Sequence, residues 1–115
     1  MTRVIYRDGR ETQELILSGH AERTEPDGTN VVCAGISAIS QTLWENLQRE
    51  EEEGQIRAEG EMETPGEMKI KAWTTAENRD AIRNMFRYTV TGLEAIQRSY
   101  PGNITIEEER NHGAV

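Results

Sequence analysis

Glu14-Leu15-Ile16-Leu17-Ser18-Gly19-His20-Ala21, then a polar stretch, then Asn30-Val31-Val32-Cys33-Ala34-Gly35-Ile36-Ser37, is the part of the chain around which the rest is arranged. The residues before Ser18 are apolar and strand-like. From Val32 onward, Val32, Ile36, Ile39, Leu43 and Leu47 recur at spacings of three and four, which marks the buried face of an amphipathic helix. Residues 21–29 have no periodicity, and Pro26-Asp27-Gly28 is turn chemistry. The stretch therefore reads as strand, connection, helix, with Thr29 or Asn30 as the helix cap. The connection is either an ordinary loop or a flap over the helix start.

Working outward, Val4-Ile5-Tyr6 is a short apolar run followed by Asp8-Gly9. Asp-Gly between two strand-like runs predicts a hairpin with a type I′ turn, with strands at about 2–7 and 11–18. Beyond the first helix, Glu50-Glu51-Glu52-Glu53 precedes Gly54. Acid at a helix C-terminus opposes the dipole, so this end is expected to fray into a solvated face. Ile56, Ala58, Gly60 and Met62 alternate with charged residues, as do Met68, Ile70 and Ala72, on either side of Thr64-Pro65-Gly66. A register symmetric about Pro65 puts Glu61 opposite Lys69 and Glu59 opposite Lys71 while keeping both apolar sets on one face. Thr74 and Glu77 have the spacing of a capping box for a second helix. Its apolar face is Ile82, Met85, Phe86, Val90, Leu93 and Ile96, and it should end near Tyr100, before Pro101-Gly102. Ile104 and Ile106 suggest a last strand, with an acidic, frayed tail from Glu107. The order strand-strand-helix-strand-strand-helix-strand predicts an α+β domain over residues 1–110 with a flexible tail over 111–115. The expected form is two layers, a mostly antiparallel sheet of about five strands with two helices on one face.

Composition limits function. The 115 residues carry a formal net charge of −8. That argues against the basic footprint nucleic-acid binding needs and suits a basic partner. No segment approaches the about 20 apolar residues of a membrane span, and Met1 to Asp8 holds no signal-peptide run. One cysteine excludes an internal disulfide and fits a reducing compartment, with the cytoplasm as default. One cysteine and two histidines do not make a zinc site, and nothing points to another cofactor. A hydrophobic content of 35% is low, which predicts burial of further apolar surface in a homodimer, through Trp44, Trp73 or the second helix.

The chemistry lies in Cys33 and His20. A cysteine in the first turn of a helix meets unpaired N–H groups and the positive end of the dipole, which favour the thiolate. An imidazole nearby can take the thiol proton and later deliver it to a leaving group. The same helix-start N–H groups can hold an oxyanion. By spacing alone, an inert core cysteine and a loop histidine are the commoner arrangement; a thiol redox sensor needs Cys33 only.

The residues themselves say more. Gly19-His20-Ala21, a loop, then Val31-Val32-Cys33-Ala34-Gly35-Ile36-Ser37 resembles the motif pair of the ribosomal-processing cysteine protease family Prp. Length and element order agree with it. The resemblance implies a cysteine endopeptidase that removes a short N-terminal extension from a large-subunit ribosomal protein, number twenty-seven. Cys33 would be the nucleophile and His20 the general base, with Ser37, Asn30, Gly19 and Ala34 in support. It implies as well a basic ribosomal protein as the partner, or a capsid or scaffold protein for phage-type relatives. Asn30 stands where the family usually has Asp; Asp27 is the nearest carboxylate that could substitute. Asn can orient His20 but adds no charge, and that departure keeps a non-catalytic, peptide-binding relative as the alternative.

Overall fold

A computed structural model describes residues 1–20, 30–62 and 66–111. Seven elements follow in order: β1 (Thr2–Gly9), β2 (Thr12–Ser18), α1 (Val31–Glu52), β3 (Arg57–Glu61), β4 (Glu67–Trp73), α2 (Arg79–Ser99) and β5 (Ile104–Asn111). The strands form one mixed sheet in the order β3-β4-β2-β1-β5. Three of its pairings are antiparallel and β1–β5 is parallel. The α+β reading holds.

Alternation of side chains along each strand divides the sheet into two faces. Val4, Tyr6, Leu15, Leu17, Ala58, Ile70, Ala72 and Ile104 are buried, together with Val32, Ile36, Leu43 and Leu47 of α1 and Ile82, Phe86, Val90 and Leu93 of α2. Tyr6 and Phe86 stack across the two layers at 6.1 Å. The opposite face is charged. Cross-strand partners put Glu109, Arg7, Glu14, Lys71 and Glu59 in one row across all five strands, alternating in sign. Glu14 holds Arg7 at 2.9 Å and Lys69 at 3.8 Å. The two cations are half exposed and Glu14 is buried, so solvent screening keeps each pair's contribution modest, but a slip of one residue would oppose like charges and bury them. The β3–β4 register is the expected one, with Glu61 opposite Lys69 and Glu59 opposite Lys71.

Four local expectations are corrected. No type I′ turn forms at Asp8-Gly9: both residues belong to β1, none of residues 9–11 has positive φ, and the connection is Arg10-Glu11. Asp8 is only 1% exposed and its carboxylate accepts from Gln13 Nε2 at 2.7 Å and Arg83 Nε at 3.1 Å, which carries the strand through it. The acidic end of α1 is tied down, not frayed, because Glu51 Oε2 accepts the Ala58 N–H at 2.8 Å at the start of the β3 pairing. The Thr74–Glu77 capping box is absent. The Thr74 N–H is used by the Glu11 carbonyl at 2.8 Å, and α2 begins later, with Asn78 in the cap position and its Oδ1 accepting the Thr75 N–H. Finally, Glu107 onward is not a frayed tail up to Asn111. It continues β5 alongside β1, with Arg3 on Glu107 at 3.2 Å and Arg7 on Glu109 at 2.8 Å. The remainder of the expected tail lies outside the described residues.

Candidate active site

Strand β2 ends at Ser18, and the chain turns through Gly19 with φ +86°. A side chain there would be strained by that φ, and its Cβ would approach the Met1 carbonyl to 2.5 Å. The start of β1 holds the bend: Thr2 Oγ1 donates to the Gly19 carbonyl at 3.3 Å and the Met1 nitrogen to the His20 carbonyl at 2.6 Å. His20 is thus held at the end of the sheet by the Met1 amine and the Thr2 hydroxyl at the start of β1. Its imidazole lies over Gly66, at φ +80°, where a Cβ would overlap the ring.

Asn30 is the N-cap of α1, and its Oδ1 accepts the Cys33 N–H at 2.8 Å. The Ala34 N–H goes to the Asn30 carbonyl at 3.1 Å. These two amides are therefore committed to the cap, and the oxyanion donors expected at the helix start are not among them. Cys33 is half-buried and packs against the core.

His20 and Cys33 line one cleft of about 230 Å³ between the end of the sheet and the first three turns of α1. Ser37, one turn beyond Cys33, lines it, and so does Gly19. Asn30 acts on the site through the Cys33 backbone, and Ala34 is exposed and does not line the cleft. Asp27 and the expected flap over 21–29 lie outside the described residues. Several lining residues were not anticipated as parts of a site: Leu17, Ile36, Ser40, Met62, Gly66 and Met68. Ile36, Met62 and Met68 have the period of core residues, and Gly66 that of a turn, so sequence pattern gives each a sufficient structural role. Among the described residues no cluster of three potential metal ligands occurs, and no helix is long and apolar enough to cross a membrane.

The family model of cysteine protease Prp matches residues 1–105. The chain belongs to the cysteine protease Prp family. Its fold is similar to solved Prp structures. The ribosomal-processing protease Prp of S. aureus with a covalently linked product peptide superposes with TM-score 0.72 at 22% identity, covering 95% of this chain and all (100%) of that one. The same S. aureus protease with a substrate peptide gives 0.68 at 21% identity, covering 95% and 100%. A Streptococcus mutans protein, SMU.848, gives 0.68 at 19%, covering 96% of each chain. No curated protein sequence matches the chain. In this Prp-family chain, motif residues separated in sequence by a nine-residue polar stretch meet at one cleft.

Proposed function

We propose that the chain is a cytoplasmic endopeptidase that removes the N-terminal extension of a large-subunit ribosomal protein, number twenty-seven, using a Cys33–His20 dyad. The observation that carries this reading is the meeting of His20 and Cys33 in one cleft, with Cys33 in the first turn of a capped helix. His20 takes the Sγ proton, and Sγ attacks the scissile carbonyl. The tetrahedral intermediate collapses as the imidazolium protonates the leaving amine, leaving a thioester on Cys33. Water, deprotonated by His20, then releases the acid. Ser37 and Gly19 shape the cleft wall, Ala34 and Asn30 hold the helix start, and no cofactor is needed. Prp of S. aureus, with the same fold, has been captured with both a substrate and a covalently linked product peptide. A net charge of −8 favours encounter with a basic ribosomal protein. The chain works as a homodimer, in keeping with its 35% hydrophobic content and the exposure of Tyr88, at 72%.

The test is incubation with the ribosomal protein carrying its extension, followed by mass spectrometry of the products. A single cut that leaves the mature N-terminus is expected. Binding without cleavage would replace this reading with the peptide-binding one. Sedimentation showing only a monomer at micromolar concentration would remove the dimer.

A further inference from the structure

Strand β3 lies at one edge of the sheet and pairs on one side only, with β4. In an antiparallel pair, alternate residues turn their N–H and C=O toward the neighbouring strand, and those between turn theirs outward. The Ala58 N–H shows which residues of β3 face out, because Glu51 Oε2 of α1 takes it at 2.8 Å. Gly60, two residues on, therefore faces out as well, while Glu59 faces Lys71 and Glu61 faces Lys69. Sheet edges are ordinarily blunted by a charge, a proline or a covering element. Glu51 does this at Ala58. At Gly60 the edge is open: Gly60 is exposed, as are Glu61 and Met62 after it. A side chain cannot cover it, since a Cβ on Gly60 would come within 2.9 Å of the Trp44 ring and 3.0 Å of Met62 Cε. The open stretch leads to the cleft. Met62 lines that cleft with Cys33 and His20, and two residues of strand separate Gly60 from Met62 by about 6.5 Å. Among the described residues the other edge strand, β5, lines no part of it.

We infer that the substrate docks as an added strand on β3, with one of its residues exchanging both backbone hydrogen bonds with Gly60. This rests on the protease reading above and names the surface that holds the substrate's main chain. Edge pairing keeps a peptide extended and grips it by backbone groups, whatever its side chains. Extension is what the cleft needs, because one peptide bond has to be presented to Sγ. The segment that docks is basic. Glu59 and Glu61 are exposed on the uncovered face of the sheet, on either side of Gly60, in a chain of net charge −8. Glu59 is engaged by Arg57, so Glu61 is the carboxylate placed to meet a lysine or arginine across the new pairing.

The experiment binds a peptide spanning the cut of the ribosomal extension to Cys33→Ser, which lacks the nucleophilic sulfur, and follows amide hydrogen exchange residue by residue by NMR. Without peptide, the Gly60 amide should exchange quickly, as an open edge group, and the Ala58 amide slowly, held by Glu51. At saturating peptide Gly60 should slow by roughly tenfold or more, the effect of one hydrogen bond, and Ala58 should not change. With the parent, replacing one peptide amide away from the cut by an ester removes a donor and keeps the shape. At the residue that meets the Gly60 carbonyl this should raise KM roughly tenfold with kcat unchanged; at the residues on either side, whose N–H groups face away from β3, it should change little. Glu61→Gln should raise KM for a basic peptide more than for a neutral one. Gly60 exchange that the peptide leaves unchanged overturns the inference, and so do ester replacements that are all equivalent. Equal effects of Glu61→Gln on the two peptides overturn the basic occupant. If the parent does not cut the peptide, the protease reading is what fails, and Gly60 exchange in its presence still decides whether the edge binds it.

Discussion

Asn30 Oδ1 accepts the backbone N–H of Cys33 at 2.8 Å. The residue that departs from the family's usual Asp thus does the local work that Asp would do, because both side chains offer an oxygen to the first turn. Asn30→Asp should leave the denaturation midpoint in urea nearly unchanged. Asn30→Ala should cost about 1 kcal/mol. Equal stability of Asn30→Ala and the parent would remove the capping role.

Gly66 provides the room in which the His20 ring lies, at φ +80°. Gly66→Ala should move the ring and strain the turn, lowering kcat for peptide cleavage by roughly tenfold or more. The strain should cost about 1 kcal/mol of stability. Full activity in a folded Gly66→Ala protein would show that the ring position is not what the site depends on.

How much of this was legible in the sequence depends on whether the forces were local. The hairpin register about Pro65 was, because both strands carry alternating apolar and oppositely charged residues close in sequence, and only one pairing satisfies both. Asn30 as a cap and Cys33 beside a helical apolar face were likewise local. The missed features come from distant partners. The acidic run after Ile106 becomes strand because arginines of β1, about a hundred residues earlier in the chain, sit opposite its glutamates. Asp8 reads as a turn residue until Arg83 of α2 and Gln13 are placed on it. Thr74 reads as a cap until Glu11 uses its N–H. In the cleft, Cys33 and His20 were legible as motif residues. Ser40 was not, because a serine on a helix carries no pattern that distinguishes a buried hydroxyl from an exposed one.

The Asp8 cluster has a stability consequence of its own. Arg83, with 22% of its side chain exposed, holds a carboxylate that is 1% exposed. Arg83→Ala should cost ~2–3 kcal/mol, short of the 3–5 expected for a wholly buried pair. The unfolding midpoint of the variant checks it, and a loss under ~0.5 kcal/mol would show that Gln13, together with Arg87, whose Nη1 lies 3.5 Å from Asp8 Oδ2, suffices.

Tyr6 adds a pH dependence at the alkaline end. Burial, and next the Asp8 charge, push its phenol well above the ordinary 10.0. The folded state keeps the proton that the unfolded chain gives up near pH 10, so this contribution is whole below about pH 10 and is lost as pH rises above it. Melting temperature should fall across that range in the parent and less steeply in Tyr6→Phe. Parallel profiles for the two would contradict the assignment.

The most direct test of the account is the rate at which the parent, Cys33→Ser and His20→Ala cleave a peptide copied from a ribosomal N-terminal extension, each variant first shown to be folded by circular dichroism. The parent should cut once; Cys33→Ser should give no detectable product, and His20→Ala should be slower by roughly 10²–10⁴. Cleavage by Cys33→Ser at the parent's rate would contradict the claim that this cleft is the active site.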